Sequence, residues 1–158
     1  MTRLTRNQAA MRDSACADRL LLAEEEPPLG SHLITPRRGF THHGIYVGRG
    51  NVVHYKSAMP GWSRGPVEEV SLACFSLGRA IWIRLRNASC FDGAEVVRRA
   101  RTRVGEDCYR LLTNNCEHFC EWCVHDEPRS FQVEQVLGML WQLVARCGGS
   151  SYVRHRSL

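Results

Sequence analysis

Two runs of β-branched and aromatic residues, Gly44-Ile45-Tyr46-Val47-Gly48 and Asn51-Val52-Val53-His54-Tyr55, flank the dipeptide Arg49-Gly50. Such side chains suit the pleated surface of a strand, and a Gly-containing turn between two such runs folds them into an antiparallel hairpin. A further strand is expected over His32-Leu33-Ile34-Thr35, ended by Pro36. Another is expected over 79–86, where Ile81, Ile83 and Leu85 alternate onto one face. Segment 57–66, which holds Pro60, Gly61, Gly65 and Pro66, reads as a loop.

Helical periodicity takes over after these strands. Asp92 with Glu95 three residues later opens a helix, Val96, Val97, Ala100 and Val104 form its apolar face, and Gly105 stops it. Thr113-Asn114-Asn115 leads into a second helix over 116–123. Val133, Val136, Leu137, Leu140, Trp141 and Val144 follow the i, i+3, i+4, i+7 spacing of a third. Residues 1–29 read as an N-terminal appendage, helical or disordered, with a helix ending at Glu24-Glu25-Glu26 before Pro27-Pro28 and Gly30. The expected fold is α+β, an antiparallel sheet packed against helices. One compact domain spans 30–128, an amphipathic helix 129–147 and a tail 148–158.

No window approaches about 18 uncharged apolar residues, the length that crosses a bilayer, and Leu20-Leu21-Leu22-Ala23 is too short for a signal-peptide core. The cytoplasm is therefore the expected compartment. Eight cysteines then point to reduced thiols, metal ligands or a nucleophile rather than to a disulfide framework. The net charge of +5 is uneven, with +8 over residues 31–104 and −5 over 105–135. The arginines of the basic middle are dispersed and not interleaved with aromatics, so a solvated surface is expected and no nucleic-acid partner.

Residues 116–125 hold Cys116, His118, Cys120, Cys123 and His125, which resembles a zinc cluster at first sight. Zinc needs four ligands converging tetrahedrally. At about 100° per residue, a helix puts Cys120 and Cys123 within about 40° of Cys116 and both histidines on the far side. The three thiols also spread over about 10 Å of helix, too far to close on one ion. Cys120 and Cys123 are expected to pack in the core. Cys116 stands in the first turn, where the helix dipole and free amide hydrogens lower a thiol pKa and can receive an oxyanion. A cysteine nucleophile also needs a base, and the base a third group to orient it; His42, His43 and His54 lie on or beside the hairpin.

His42-x-Gly-Ile-Tyr-Val-Gly with Val-Val-His54, followed by Asn115-Cys116-Glu117-His118-Phe119, resembles the lecithin:retinol acyltransferase family over about residues 30–125. The resemblance implies a circularly permuted papain-like fold of the NlpC type, with the nucleophile at a helix N-terminus. By position it makes Cys116 the nucleophile, His42 the base and His54 the residue that orients His42. His43 matches an aromatic position and takes no catalytic role; His118 is read as structural. Ser31 replaces the acid of the family's opening Gly-Asp-x-Leu, and the uncharged run Gln135 to Ala145 is only eleven residues, shorter than the membrane-spanning helix usual in animal members.

The chemistry so implied is acyl transfer through a Cys116 thioester. The donor is a lipid acyl ester such as a glycerophospholipid, and the acceptor is water, an alcohol or an amine; no cofactor or metal enters. The last helix and Arg154-His155-Arg156 suit peripheral contact with an anionic membrane, the alternative being that its apolar face packs on the core. A peptidase or amidase with the same triad, a binding module without turnover and a zinc protein are the rival readings. One geometric condition follows. In a regular two-residue hairpin Ile45 would face His54 and His42 would point to the other side, so a distortion between residues 41 and 52 is required if the two imidazoles are to meet.

Overall fold

The computed structural model describes residues 17–56, 65–85 and 89–148. Its centre is a six-stranded antiparallel sheet in the order β1-β6-β2-β3-β4-β5. The strands are β1 (Ala17–Leu20), β2 (His32–Arg37), β3 (Phe40–Gly48), β4 (Asn51–Tyr55), β5 (Val67–Ser71) and β6 (Trp82–Leu85). Among the described residues four helices accompany them: α1 (Leu72–Ser76), α2 (Gly93–Thr102), α3 (Cys116–His125) and α4 (Phe131–Gly148).

The sheet is buried on both faces. Ile45, Val47, Val53, Tyr55 and Val67 pack against Val96, Val97 and Ala100 of α2 and Phe119, Cys120 and Cys123 of α3. On the other face Leu33, Tyr46, Val52 and Ile83 enclose Phe75 of α1. Cys120 and Cys123 are thus core residues, as their spacing on α3 predicts. Asp92 caps α2 by accepting the Glu95 N–H at 2.8 Å, while the Glu95 carboxylate turns to Arg98 and does not reach back.

Several expectations change. The N-terminal appendage is not helical where it is described: residues 1–16 lie outside the described residues, and Ala17–Leu20 is the sheet's edge strand. It pairs antiparallel with β6, whose open edge it covers, and Leu21 extends the ladder to the Ile81 carbonyl at 2.9 Å. Strand β2 runs through Pro36, because β6 reaches only as far as Ile34 on that side and no neighbour there needs a proline N–H. Strand β5 and helix α1 carry no clear period in the sequence and were not expected. Of the expected loop 57–66, residues 57–64 fall outside the described residues.

Helix α4 leaves the body after its first turn. Its side chains from Glu134 to Arg146 are exposed, Trp141 by 75%, so its apolar face is not spent on the core. Among the described residues no helix is long and apolar enough to cross a membrane.

Candidate active site

The expected distortion falls at Val47. Gly48 faces Asn51, but Tyr46 faces Val52 and Ile45 faces Val53, so one extra residue enters β3 and the register moves by one. That shift puts His54 on the same face as His42. Gly44 lies between them, and a Cβ there would stand 2.5 Å from Val52 Cγ1, 2.8 Å from the Phe75 ring and 3.3 Å from His54 Cβ. Glycine leaves the space in which the rings meet. His42 Nε2 lies 2.9 Å from His54 Nδ1, the ring centroids are 4.9 Å apart, and Phe75 of α1 packs on both.

Protons on this pair are constrained. His54 Nδ1 is also 2.7 Å from the Tyr55 carbonyl, which can only accept. Either one Nδ1 proton is shared between that carbonyl and His42, or Nδ1 is bare and accepts the His42 Nε2 proton. The second arrangement leaves the His42 Nδ1 lone pair free and places the His54 proton on Nε2, 3.7 Å from Glu68 Oε1. Burial pushes the pKa of both rings down. For His42 the positive fields of His54 and Arg37 push it further, well below 6.5, so the pair is neutral at neutral pH.

Pairing between β3 and β4 stops at Ile45–Val53, whereas β4 goes on pairing with β5 to Tyr55. The sheet therefore splits beside residues 41–43. Cys116 is the first residue of α3, with Asn115 as N-cap accepting the Glu117 and His118 N–H groups at 2.9 and 3.1 Å. The main-chain N–H groups of His43, Cys116 and Glu117 all act on the Cys116 sulfur and favour its anion. Burial outweighs them: the thiol is pushed up to about 11, not lowered as a helix N-terminus alone would have it. The structure thus joins His42 directly to His54. The Cys116 sulfur is linked to this strand through the main-chain N–H of His43, the residue after His42, and among the described residues no hydrogen bond links its thiol to the His42 ring. The Arg37 guanidinium, held by the Phe75 and Ser76 carbonyls, is near enough to feel the Cys116 charge and to act on His42.

His43 points to the α3 side and joins a buried polar network that sequence reasoning missed. Its Nδ1 is 2.9 Å from His32 Nε2 and its Nε2 2.9 Å from Gln132 Nε2; burial takes its pKa down to about 3. Glu117 is fully buried. Burial opposes its charge, but the field of His43 and hydrogen bonds from Ser130 (2.6 Å), Arg84 (2.8 Å) and the Gln132 main chain (3.1 Å) hold it below the usual carboxylate range. The ring of His118 turns back to accept the Asn115 N–H at 3.4 Å, closing a capping box, which is the structural position read for it. His42 and His43 are adjacent on one strand and necessarily face opposite sides, so His43 had a legible signal, whereas His32 on β2 had none. Glu117, Ser130 and Gln132 had none, because their partners lie on distant segments.

Residues 25–129 match the family described as lecithin retinol acyltransferase. The chain is 30% identical to the lecithin retinol acyltransferase of Rattus norvegicus over 134 residues, 67% of this chain and 58% of that protein. It is 28% identical to phospholipase A and acyltransferase 2 of Homo sapiens over 134 residues, 72% of this chain and 80% of that protein. The chain spans 58% of the length of the lecithin retinol acyltransferases it matches.

Proposed function

The chain belongs to the lecithin retinol acyltransferase family, and on that premise we propose that it is a thiol enzyme moving an acyl group from a lipid ester, a glycerophospholipid, to a small acceptor. The single observation that carries this reading is the contact of His42 Nε2 with His54 Nδ1 at 2.9 Å, next to the His43 main-chain N–H that acts on the Cys116 sulfur. In the arrangement in which His54 Nδ1 accepts the His42 Nε2 proton, Nδ1 is the basic atom of His42, and the proposed reaction uses that arrangement.

In the first step His42 Nδ1 takes the thiol proton as the Cys116 sulfur attacks the ester carbonyl. Because the thiol rests protonated and the imidazole neutral, proton transfer accompanies attack and does not precede it. The carbonyl oxygen gains the negative charge, and the N–H groups of His43 and the first turn of α3 are placed to receive it. The C–O bond then breaks, and His42 gives its proton to the departing lysolipid oxygen. Water, an alcohol or an amine attacks the thioester, giving a proton to His42. The acyl product leaves, and the proton returns to sulfur. The arrangement of base, orienting residue and helix-start thiol, with histidine before cysteine in the chain, fits a permuted papain-like plan.

Helix α4 supplies the peripheral membrane contact in this reading. Val136, Leu137, Leu140, Trp141 and Val144 are exposed together, and no charge interrupts Gln135 to Ala145. The test is product analysis after incubation with phosphatidylcholine vesicles, with and without an added amine acceptor. Fatty acid or acylated amine with the wild type, absent with Cys116→Ser, is the expected result. No release of acyl groups by either protein, with cleavage of peptide substrates instead, overturns the lipid assignment.

A further inference from the structure

Residues 41–43 carry His42, yet β4 no longer accompanies them, so the Thr41 N–H and carbonyl, which face that side, have no strand to pair with. A segment so placed would fray. One side chain replaces the missing strand. The Gln132 carboxamide, from the first turn of α4, accepts the Thr41 N–H at 2.9 Å and donates to the Thr41 carbonyl at 3.2 Å. These are the two bonds that a residue of β4 would have made.

The same amide also reaches the nucleophile's helix. Gln132 Nε2 lies 3.4 Å from Glu117 Oε2 and its main-chain N–H 3.1 Å from that oxygen, and Glu117 follows Cys116 directly. Atom types fix the direction of every bond. The Thr41 N–H can only donate, so the carboxamide oxygen faces it and the nitrogen faces His43. His43 Nε2 must then accept, which puts its proton on Nδ1 and directs it to His32 Nε2. His32 in turn carries its proton on Nδ1, 3.5 Å from Glu121 Oε1.

We propose that Gln132 is a positioning residue which, by standing in for the absent strand, sets the distance between the His42 base and the Cys116 thiol. This rests on the reading of Cys116 and His42 as nucleophile and base. Gln132 touches no reacting atom; it holds the peptide before the base and the carboxylate after the nucleophile in one frame. It is also where α4 joins the body, so the attitude of that exposed helix is passed to the site.

The test uses Gln132→Ala and Gln132→Glu in the full chain. The glutamate variant keeps the size and the acceptor for Thr41, and so keeps the fold even where alanine does not. It sets an oxygen against the Thr41 carbonyl, the His43 lone pair and the Glu117 carboxylate. Two readouts are taken: the pH profile of Cys116 alkylation by iodoacetamide, and kcat and KM on phosphatidylcholine vesicles. The expected result is a loss of the neutral-pH alkylation assisted by His42 and a fall in kcat on the order of 100-fold with little change in KM. In Gln132→Glu both recover toward wild type as the pH is lowered and the new carboxyl regains a proton to donate. Folded variants with the wild-type alkylation profile and kcat overturn the proposal. Alkylation needs no lipid, so failure of the lipid assignment leaves that readout intact.

Discussion

His42 Nε2 stands 2.9 Å from His54 Nδ1 although the two residues belong to strands whose pairing ends one residue short of His54. The contact exists because a single extra residue at Val47 moves the register, and because Gly44 leaves a hole between the rings. In the proposed reaction His54 holds His42 with Nδ1 turned to the thiol. His54→Ala should lower kcat far more than KM, whereas His54→Gln, which keeps an acceptor in place, should retain more activity. Equal losses in both would remove the orienting role.

Gly44 gives a structural prediction. A side chain there meets Val52 and Phe75 at 2.5 and 2.8 Å, both held in the core on the α1 side. Gly44→Ala should cost about 1–3 kcal/mol of stability by overpacking and separate the imidazoles at the same time. Chemical denaturation reads the first effect and turnover the second.

The resting thiol and the resting base make a third. With Cys116 near 11 and His42 neutral, the proposed mechanism makes alkylation at neutral pH depend on proton removal by His42. In His42→Ala the alkylation rate should be low at pH 7 and climb toward pH 11. A mutant that still reacts rapidly at pH 7 would mean that Cys116 rests as a thiolate.

Buried neutral histidines also link stability to pH. His42, His43 and His54 all have folded pKa values below the unfolded 6.5, so the unfolded chain binds more protons beneath that pH. Stability should be level above pH 6.5 and fall as the solution is acidified, by up to about 1.4 kcal/mol per pH unit for each histidine kept neutral. For His43 the loss continues to about pH 3. His43→Phe should flatten the slope measured by urea denaturation at pH 7, 6 and 5.

The exposed face of α4 makes a prediction about surfaces. Trp141 and Leu140 are 75% and 52% exposed, so replacing both with Glu should leave the unfolding midpoint unchanged and lower the fraction of protein sedimenting with anionic vesicles. Loss of stability instead would show that this face is covered.

Much of this site is legible in the chain itself, and the reasons differ by residue. The hairpin, the capped helix α2 and the helix after Asn115 follow from local patterns, and the resemblance points to His42, His54 and Cys116. The edge strand Ala17–Leu20 is not legible, because only its pairing with β6 makes it a strand. The thiol pKa departs from the helix-start expectation for a similar reason. The dipole of a helix start is local and readable, while the burial that outweighs it depends on how α3 packs against β3. Gln132 and Glu117 act across separations of 91 and 15 residues, beyond any spacing rule.

The central claim is that the acyl chain passes through the Cys116 sulfur. Intact mass spectrometry after brief mixing with phosphatidylcholine vesicles tests it most directly. The account predicts a wild-type species heavier by one acyl chain, located on Cys116, discharged by hydroxylamine and missing from Cys116→Ala. Turnover that continues in Cys116→Ala, or an acyl adduct on another residue, would contradict it.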